Sequence, residues 1–231
     1  MAKNHSNSVS GMISLKLIII GDKNQGKTSI IKRFIDKKFD DKPCATIVPL
    51  TSKTIIKSNG INFEINLWDI PGQDLNPMVT RTFAKDTEGI IFCYEINNEI
   101  TREHLKNWKE SLESFYNIEK IPKILIENKC DLLGDESKYN EGINKLRQTS
   151  KKLGCLNYYR TSALNGFNID EALNFLINEM IKNVKEEGIQ DYNEINYKNL
   201  SMFSIKKMLH VVDIFIFLIY LINQLYFILI L

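Results

Sequence analysis

A stretch near the amino terminus, GDKNQGKT at residues 21–28, constrains the fold of this chain more than any other feature. It matches the spacing G-x-x-x-x-G-K-[ST] without a gap, and its glycines allow the main chain to turn tightly with no Cβ in the way. The apolar run at residues 15–20 predicts a buried strand before it, and helical periodicity follows at residues 28–37. Such a turn collects main-chain N–H groups around one point, so the stretch predicts a binding loop for a polyphosphate.

The side chains of this loop indicate a nucleotide with a divalent cation. Lys27 can reach the terminal phosphates, and the hydroxyl of Thr28 can ligate Mg²⁺. The expected nucleotide contacts in the loop are Gly21, Asp22, Lys23, Asn24, Gln25, Gly26, Lys27, Thr28 and Ser29. Its middle is unusual, because Lys23, Asn24 and Gln25 stand where such loops usually keep small residues. The sequence therefore raises the question whether the loop supports hydrolysis as well as binding.

The composition indicates the general class of protein but does not point to a particular partner. The 231 residues suffice for one domain with a tail, and the net charge of +2 gives no argument for a nucleic-acid ligand. The cysteines lack the spacing of a metal site or a disulfide framework and are typical of thiols in a reducing compartment. We expect a flexible amino terminus at residues 1–12, a folded domain at 13–185, a polar linker at 186–207 and a hydrophobic tail at 208–231.

Strand-like and helix-like segments alternate along the folded domain. Residues 51–57 and 61–67 flank an Asn-Gly pair, which predicts an antiparallel hairpin. Further strands are predicted at residues 89–94, 122–126 and 157–161, and helices at residues 102–115, 139–153 and 169–184. This alternation predicts an α/β fold of three layers, in which helices cover both faces of a mostly parallel sheet. Ligands bind at the carboxyl ends of such strands, where residues 21–28 lie.

A second loop at that edge has the sequence WDIPGQ at residues 68–73. The carboxylate of Asp69 can hold Mg²⁺ through water, and Gly72 can offer its N–H to a terminal phosphate. Gln73 would then orient an attacking water. Gln73 and Lys27 are therefore the expected catalytic residues.

Two later loops predict which base is bound. In NKCD at residues 128–131, the carboxylate of Asp131 can accept two hydrogen bonds, from N1–H and the exocyclic amine of guanine. Adenine lacks this pair of donors and would leave a charged acceptor unpaired, at a cost of about 1–3 kcal/mol or more, which disfavours an ATPase. TSA at residues 161–163 can offer a main-chain N–H to the guanine oxygen.

Together these segments resemble the Ras superfamily of small GTPases, and within it the Rab branch. The resemblance covers about residues 15–185 and rests on residues 21–28, Phe39, ATI at 45–47, WDIPGQD at 68–74, NKCDL at 128–132 and TSA at 161–163. It implies a P-loop NTPase G domain with a six-stranded sheet and one antiparallel strand, which binds GTP or GDP with Mg²⁺ and hydrolyses GTP slowly. It also implies a monomer whose partners are an exchange factor, a GTPase-activating protein and effectors in membrane traffic.

The resemblance assigns roles to further residues. Thr46 matches the switch residue whose hydroxyl contacts Mg²⁺ in the GTP state, so the implied metal contacts are Thr28, Thr46 and Asp69. Phe39 matches the aromatic ring beside guanine, although core packing explains an aromatic residue there equally well. The implied contacts around the base are Asn128, Lys129, Asp131, Ser162, Ala163 and Leu164, the last in place of the usual lysine.

Several residues depart from the family pattern near the phosphates. Asn24 stands where the family often has glycine with a positive φ, which asparagine tolerates. Lys23 replaces a short side chain, and it either faces the γ-phosphate, where it could strengthen binding or block a partner's arginine, or extends into solvent. Pro71 replaces an alanine and should stiffen this segment, while VPL at residues 48–50 replaces the Gly-x-Asp of the region that effectors read.

The hydrophobic tail differs from the prenylated ends of Rab proteins. The last cysteine is Cys155, so prenylation near the end of this chain is not expected. Residues 211–231 are long and apolar enough to span a bilayer, although Asn223 and Gln224 would be costly there. A membrane anchor, a docking helix and translated AT-rich non-coding DNA remain as explanations of this segment.

The sequence thus favours a guanine-nucleotide switch that hydrolyses GTP slowly, in the cytosol and at the cytoplasmic face of an intracellular membrane. The alternative is a membrane-tethered GTP-binding scaffold with little or no turnover.

Overall fold

The central strand of the sheet explains why helices pack on both sides of it. In the computed structural model, which describes residues 12–42, 44–72, 77–134, 136–140 and 142–186, β1 (Met12–Ile20) is buried along its second half. Leu17 and Ile19 face one side of the sheet, and Ile18 and Ile20 face the other, because successive side chains of a strand point to opposite faces. Each apolar face therefore requires its own covering layer.

The described residues form a six-stranded sheet with the order β2-β3-β1-β4-β5-β6. The remaining strands are β2 (Leu50–Ser58), β3 (Ile61–Asp69), β4 (Gly89–Glu95), β5 (Lys123–Asn128) and β6 (Asn157–Arg160). Strands β2 and β3 pair antiparallel, and every other neighbouring pair is parallel. The predicted α/β fold with one antiparallel strand is confirmed.

The hairpin between β2 and β3 is closed by the Asn-Gly turn that the sequence predicts. Asn59 and Gly60 have φ values of 51° and 81°, and Ser58 pairs with Ile61 across the turn. Two successive residues with positive φ match the twist of the flanking strands, which explains the preference for Asn-Gly.

Helices cover both faces, as predicted. They are α1 (Lys27–Asp36), α2 (Pro77–Ala84), α3 (Glu99–Glu113), α4 (Ile143–Leu153) and α5 (Ile169–Glu186). The layer of α1 and α5 packs on the face of Leu17 through residues such as Ile30 and Leu176. The layer of α2, α3 and α4 packs on the face of Ile18 through residues such as Leu105 and Leu146.

Element boundaries differ from the predictions where local hydrogen bonds decide them. Helix α3 starts at Glu99, before the predicted residue 102, because the Asn98 side chain caps it by accepting a 3.2 Å hydrogen bond from the main-chain N–H of Thr101. The predicted helix at residues 139–153 is wrong at its start. A separate 3₁₀ turn occupies Glu136–Asn140, and α4 begins only after Gly142, whose φ of 72° is incompatible with a continuous helix.

Several predictions fall on residues that the structure does not describe. Residues 1–11 and 187–231 are among them, so the predicted amino terminus, linker and tail lie almost entirely outside the described residues. The same holds for Gln73. Within the described ranges, none of the helices combines the length and the apolar character that crossing a membrane requires.

Candidate nucleotide-binding site

The loop between β1 and α1 has the tight turns that its glycines predict. Gly21 has a φ of 141°, and a Cβ there would lie 2.0 Å from the main-chain oxygen of Cys93. Gly26 has a φ of 82°, and a Cβ there would lie 2.4 Å from Asn128 Nδ2. Asn24 adopts a φ of 64°, the positive value expected of it. Glycine at both ends and asparagine between them therefore allow the cradle to form.

Lys27 lies inside this cradle. Its ammonium donates hydrogen bonds to the main-chain oxygens of Gly21 and Asp22 at 2.7 and 2.8 Å. Burial lowers the pKa of Lys27, while the carboxylate of Asp69 opposes that shift. A phosphate oxygen would be a third acceptor for the ammonium and would favour its charged form.

Three oxygens from different segments meet beside Lys27, and all belong to residues predicted as metal contacts. Thr28 Oγ1 donates a hydrogen bond to Asp69 Oδ2 and lies 2.8 Å from Thr46 Oγ1. Thr46 Oγ1 also lies 3.2 Å from Asp69 Oδ2. The cluster joins the start of α1, the connection between α1 and β2, and the end of β3.

The donor set fits Mg²⁺ that is bound together with a phosphate. Asp69 Oδ1 is buried and has no hydrogen-bond partner among the described residues. Hard oxygen ligands suit Mg²⁺, which keeps several waters and usually takes its remaining contacts from substrate phosphates. The described residues contain no group of three or more His, Cys, Asp or Glu side chains suited to a metal. Thr28, Thr46 and Asp69 would hold such an ion, and waters and phosphate oxygens would complete its shell.

Gly72 packs directly against the phosphate loop. A Cβ at Gly72 would lie 2.3 Å from the carbonyl carbon of Asp22 and 2.5 Å from the main-chain nitrogen of Lys23. The Lys23 N–H donates a 2.9 Å hydrogen bond to the Gly72 oxygen. Pro71 before it is buried. Only a glycine allows this approach, and the predicted contact of its N–H with a phosphate remains a prediction.

The middle of the loop contains both exposed and buried residues. The side chains of Lys23 and Asn24 are exposed, whereas Gln25 is 2% exposed. Asp22 points away from the loop centre, because its carboxylate accepts a 3.0 Å bond from Trp108 Nε1 and lies 2.6 Å from His104 Nδ1 on α3. Asp22 can therefore contact a nucleotide only through its main chain.

The side chain of Asn128 joins the loops that are expected to surround the nucleotide. Its Nδ2 donates a 2.9 Å hydrogen bond to the main-chain oxygen of Gln25. Its Oδ1 accepts bonds from Thr161 Oγ1 at 3.1 Å and from the Ala163 N–H at 3.3 Å. Asn128 thereby fixes the phosphate loop relative to residues 161–163.

The predicted guanine-reading residues lie together at the ends of β5 and β6. Ser162 Oγ donates a hydrogen bond to Asp131 Oδ1, which leaves Oδ2 for other donors. Lys129 has a φ of 64°, and its ammonium lies 2.8 Å from Glu95 Oε2. The arrangement brings Asn128, Lys129 and Asp131 into one turn, supported by Ser162.

Other predicted contacts lie at the rim of the site. Phe39 is half-buried and packs against the core cluster on the α1 and α5 side, which agrees with the core-packing explanation. Ser29 lies in the first turn of α1, and Leu164 is 48% exposed. The catalytic candidate Gln73 lies outside the described residues.

Arg33 on α1 is a supporting residue that no local sequence pattern marks. Its Nε donates a 2.8 Å hydrogen bond to the oxygen of Ala163, and one terminal nitrogen donates a 2.5 Å bond to the oxygen of Leu164. These bonds connect residues about 130 positions apart, so only the tertiary structure reveals them. Arg33 holds the main chain from which a contact to the base is expected.

Comparisons with known proteins agree with this geometry. The Ras family model matches residues 16–182. Ras-related protein Rab-32 of Mus musculus is 33% identical over 172 residues, which cover 73% of this chain and 76% of the relative. Ras-related protein Rab-15 of Rattus norvegicus is 32% identical over 176 residues, 76% of this chain and 80% of the relative. Ras-related protein RabG2 of Dictyostelium discoideum is 30% identical over 169 residues, 73% and 83% of the two chains. The chain therefore belongs to the Ras family of small GTPases and is similar to its Rab members.

Proposed function

We propose that this chain is a guanine-nucleotide switch that binds GTP and GDP with Mg²⁺, hydrolyses GTP slowly and acts in intracellular membrane traffic. The observation that carries the proposal is the cluster of Thr28, Thr46 and Asp69 oxygens beside the Lys27 ammonium. Thr46 lies in the connection between α1 and β2, so a ligand that changes this cluster would change an exposed segment of the surface. That is the property a switch needs.

The residues of the site would have separate roles in phosphoryl transfer. Mg²⁺, when bound, neutralises charge on the phosphates. The main-chain N–H groups of residues 21–28 would hold the β- and γ-phosphates, and Lys27 would supply a cation at the bond that breaks. By family analogy, Gln73 would orient the water whose oxygen forms a bond to the γ-phosphorus. The bond from that phosphorus to the bridging oxygen breaks, and the products are phosphate and GDP.

Guanine selection would come from Asp131. The bond from Ser162 fixes the position of its carboxylate, and a fixed acceptor can discriminate guanine from adenine through the two donors that adenine lacks. Lys129 and the half-buried Phe39 ring would cover the base.

The proposed partners follow the family. An exchange factor, a GTPase-activating protein and effectors would recognise a monomer in the cytosol and at the cytoplasmic face of a membrane. The segment at residues 208–231 would provide membrane attachment, because residues 211–231 are mostly apolar and reach the ~20 residues that a bilayer-spanning helix needs.

A GTP-binding scaffold with little turnover is the second candidate. Two observations favour it: Lys23 adds an exposed cation to the phosphate loop, and the buried Pro71 precedes the glycine that contacts Lys23. By analogy with the family, both residues correspond to positions near the place where water, the catalytic glutamine and a partner's arginine meet.

Nucleotide binding and single-turnover hydrolysis by the purified full chain test the proposal. With Mg²⁺ present, a fluorescent GDP should bind saturably and be displaced by GTP but not by ATP. Bound GTP should then convert to GDP at about 10⁻⁴ to 10⁻² per second, the range for this class without a partner. Displacement by ATP would contradict guanine selection. Tight GTP binding without any GDP formation would favour the scaffold.

A further inference from the structure

The side chain of Gln25 is buried in the phosphate loop, and both ends of its amide are bonded. Gln25 is 2% exposed, and burying an amide without partners is costly. Its Nε2 donates a 2.8 Å hydrogen bond to the Lys23 oxygen, and its Oε1 accepts a 2.5 Å bond from the Glu95 N–H. A carbonyl only accepts and a main-chain N–H only donates, so this orientation of the amide is the one that satisfies both groups.

These bonds connect the phosphate side of the site with its base side. On the phosphate side, the Lys23 main chain also donates to the Gly72 oxygen at 2.9 Å. On the base side, Glu95 ends β4 and its carboxylate lies 2.8 Å from the Lys129 ammonium. Gln25 therefore lies between the segment expected to sense the γ-phosphate and a residue expected to cover the base.

We propose that Gln25 is a positioning residue for nucleotide retention, which holds the Lys23 main chain in place through its side-chain amide. This inference rests on the proposed function, because it concerns the same nucleotide site. The adjoining residues Lys23 and Asn24 are exposed, and Asn24 has a positive φ. The described contacts of the Lys23 main chain are its bonds to Gln25 and Gly72. Loss of the amide would let this part of the cradle move away from the phosphates.

The variant Gln25→Met distinguishes a positioning role of the Gln25 side chain from a role that only fills space. Methionine has a similar length and can fill the same volume, but it cannot replace either hydrogen bond. We expect fluorescent GDP to dissociate about tenfold faster from the Mg²⁺-loaded full chain of Gln25→Met than from the wild type. The control Gln148→Met, at an exposed position on α4, should dissociate at the wild-type rate.

The variant Gln25→Glu tests the donor to the Lys23 oxygen separately. Its carboxyl keeps an acceptor for the Glu95 N–H, but the ionised form has no donor for Lys23. Protonation supplies an O–H donor, so the ratio of its GDP dissociation rate to that of the wild type should fall toward one between about pH 8 and about pH 5. The corresponding ratio for Gln25→Met should stay constant over this range.

The levels reached at low pH separate hydrogen bonding from charge. If removing the negative charge were the only effect of protonation, the rate ratio of Gln25→Glu to the wild type would stay above one at low pH, because the bond to the Lys23 oxygen would still be missing. A ratio that reaches one requires the donor. This comparison of one variant at two pH values remains decisive if Gln25→Met does not fold.

The same binding and release measurements distinguish a wrong role for Gln25 from a wrong function for the chain. If the wild type shows no saturable guanine-nucleotide binding, the proposed function is wrong. If the wild type binds but both Gln25 variants release GDP at its rate at every pH, the function stands and Gln25 is not a positioning residue.

Discussion

Asp69 has one carboxylate oxygen that is buried without a partner among the described residues. Leaving a buried acceptor unpaired costs about 1–3 kcal/mol, and more when the group is charged. Burial raises the pKa of Asp69, and the hydrogen bond from Thr28 and the charge of Lys27 oppose this shift without cancelling it. A divalent cation at this oxygen would stabilise the ionised carboxylate. Asp69 therefore connects the ionisation of the site to metal loading.

The first prediction concerns the hydroxyl that shares this cluster. Thr28→Asn should weaken Mg²⁺-supported GTP binding more than GDP binding, because the lost hydroxyl ligand matters most where the phosphate charge is greatest. The measurement is nucleotide affinity with and without Mg²⁺. Thr149→Asn on α4 is the matched control and should change neither affinity. An equal loss for GTP and GDP would show that Thr28 serves only the start of α1.

The second prediction concerns the base. Asp131→Asn replaces a carboxylate oxygen by an amide donor, so affinity for GTP should fall while affinity for the xanthine nucleotide rises. The bond from Ser162 can persist because an amide oxygen at Oδ1 still accepts it. A gain for xanthine therefore excludes misfolding as the cause. Competition of both nucleotides against fluorescent GDP measures the change, and an unaltered preference for GTP would disprove the guanine assignment.

For single residues, local steric rules predict the conformation correctly where a residue acts through its own main chain. The positive φ of Asn24 and the tight turns at Gly21 and Gly26 follow from local steric rules, although the atoms that would clash with a Cβ at the two glycines belong to distant residues, Cys93 and Asn128. The partners of Gln25 and Arg33 do not, since Glu95 lies 70 positions from Gln25 and Ala163 lies 130 positions from Arg33. Such pairs leave no periodic pattern in the sequence, because only the folded sheet brings their loops together.

Strands β5 and β6 end in a buried ion pair directly beneath the guanine-reading loops. Arg160 Nε donates to Glu127 Oε2, and the two residues are 3% and 6% exposed. The Tyr94 hydroxyl donates to the other oxygen, Oε1, at 2.5 Å. Burial and the Glu127 carboxylate raise the pKa of Tyr94, so its hydroxyl remains a donor at neutral pH. The next residues along the strands are Asn128 and Thr161, which bond to each other.

The third prediction is that this ion pair controls stability more than any exposed pair. Glu127→Gln removes the carboxylate that faces the buried Arg160 guanidinium, so the free energy of unfolding should fall by about 3 kcal/mol or more. The control Glu110→Gln removes the partner of an exposed lysine, Lys106 on α3, and should change stability by less than about 1 kcal/mol. Urea unfolding of the GDP-bound chains measures both. Equal effects would mean that the buried Glu127 carboxylate stabilises the fold no more than an exposed carboxylate does.

The elements themselves were predictable to different degrees. The buried runs of β1, β4 and β5 and the Asn-Gly hairpin have clear periodicity, and the structure confirms them. The start of α4 was not predictable from apolar spacing, because Gly142 interrupts a pattern that continues through it. Helix α2 has only eight residues, too few for periodicity to distinguish it from a loop.

The whole molecule presents the nucleotide site at one edge of the sheet, where several loops are tied together. The exposed apolar residues Ile47, Val48 and Leu50 follow Thr46 directly. Val48 and Leu50 belong to the segment at residues 48–50 that departs from the family sequence. Because effectors of the family read this segment, the departure weakens any inference about which effectors bind here. A partner's access to the phosphates would pass Lys23 and Pro71 at the same edge.

The fourth prediction concerns stimulation by such a partner. An activating protein of this family inserts an arginine worth about 10³–10⁵-fold in rate. We expect tight GTP binding with weak stimulation, because Lys23 is exposed and, by analogy with the family, would add bulk and positive charge beside the γ-phosphate. The double variant Lys23→Ser with Pro71→Ala should restore stimulation and change GTP affinity little, since the cradle consists of main-chain N–H groups. Single-turnover hydrolysis with and without a broad-specificity activating domain measures this.

A matched variant and a comparison of rates decide what Lys23 does. Lys120→Ser removes an exposed lysine outside the nucleotide site, so it controls for net charge and should leave stimulation weak. If the wild type already responds fully to the activating domain, Lys23 extends into solvent and has no catalytic consequence. If Lys23→Ser alone restores the response, the side chain is the obstacle. If Pro71→Ala is also required, the rigidity of the segment that carries Gly72 limits stimulation by the activating domain. Proline fixes φ at residue 71, immediately before the glycine that contacts the Lys23 main chain.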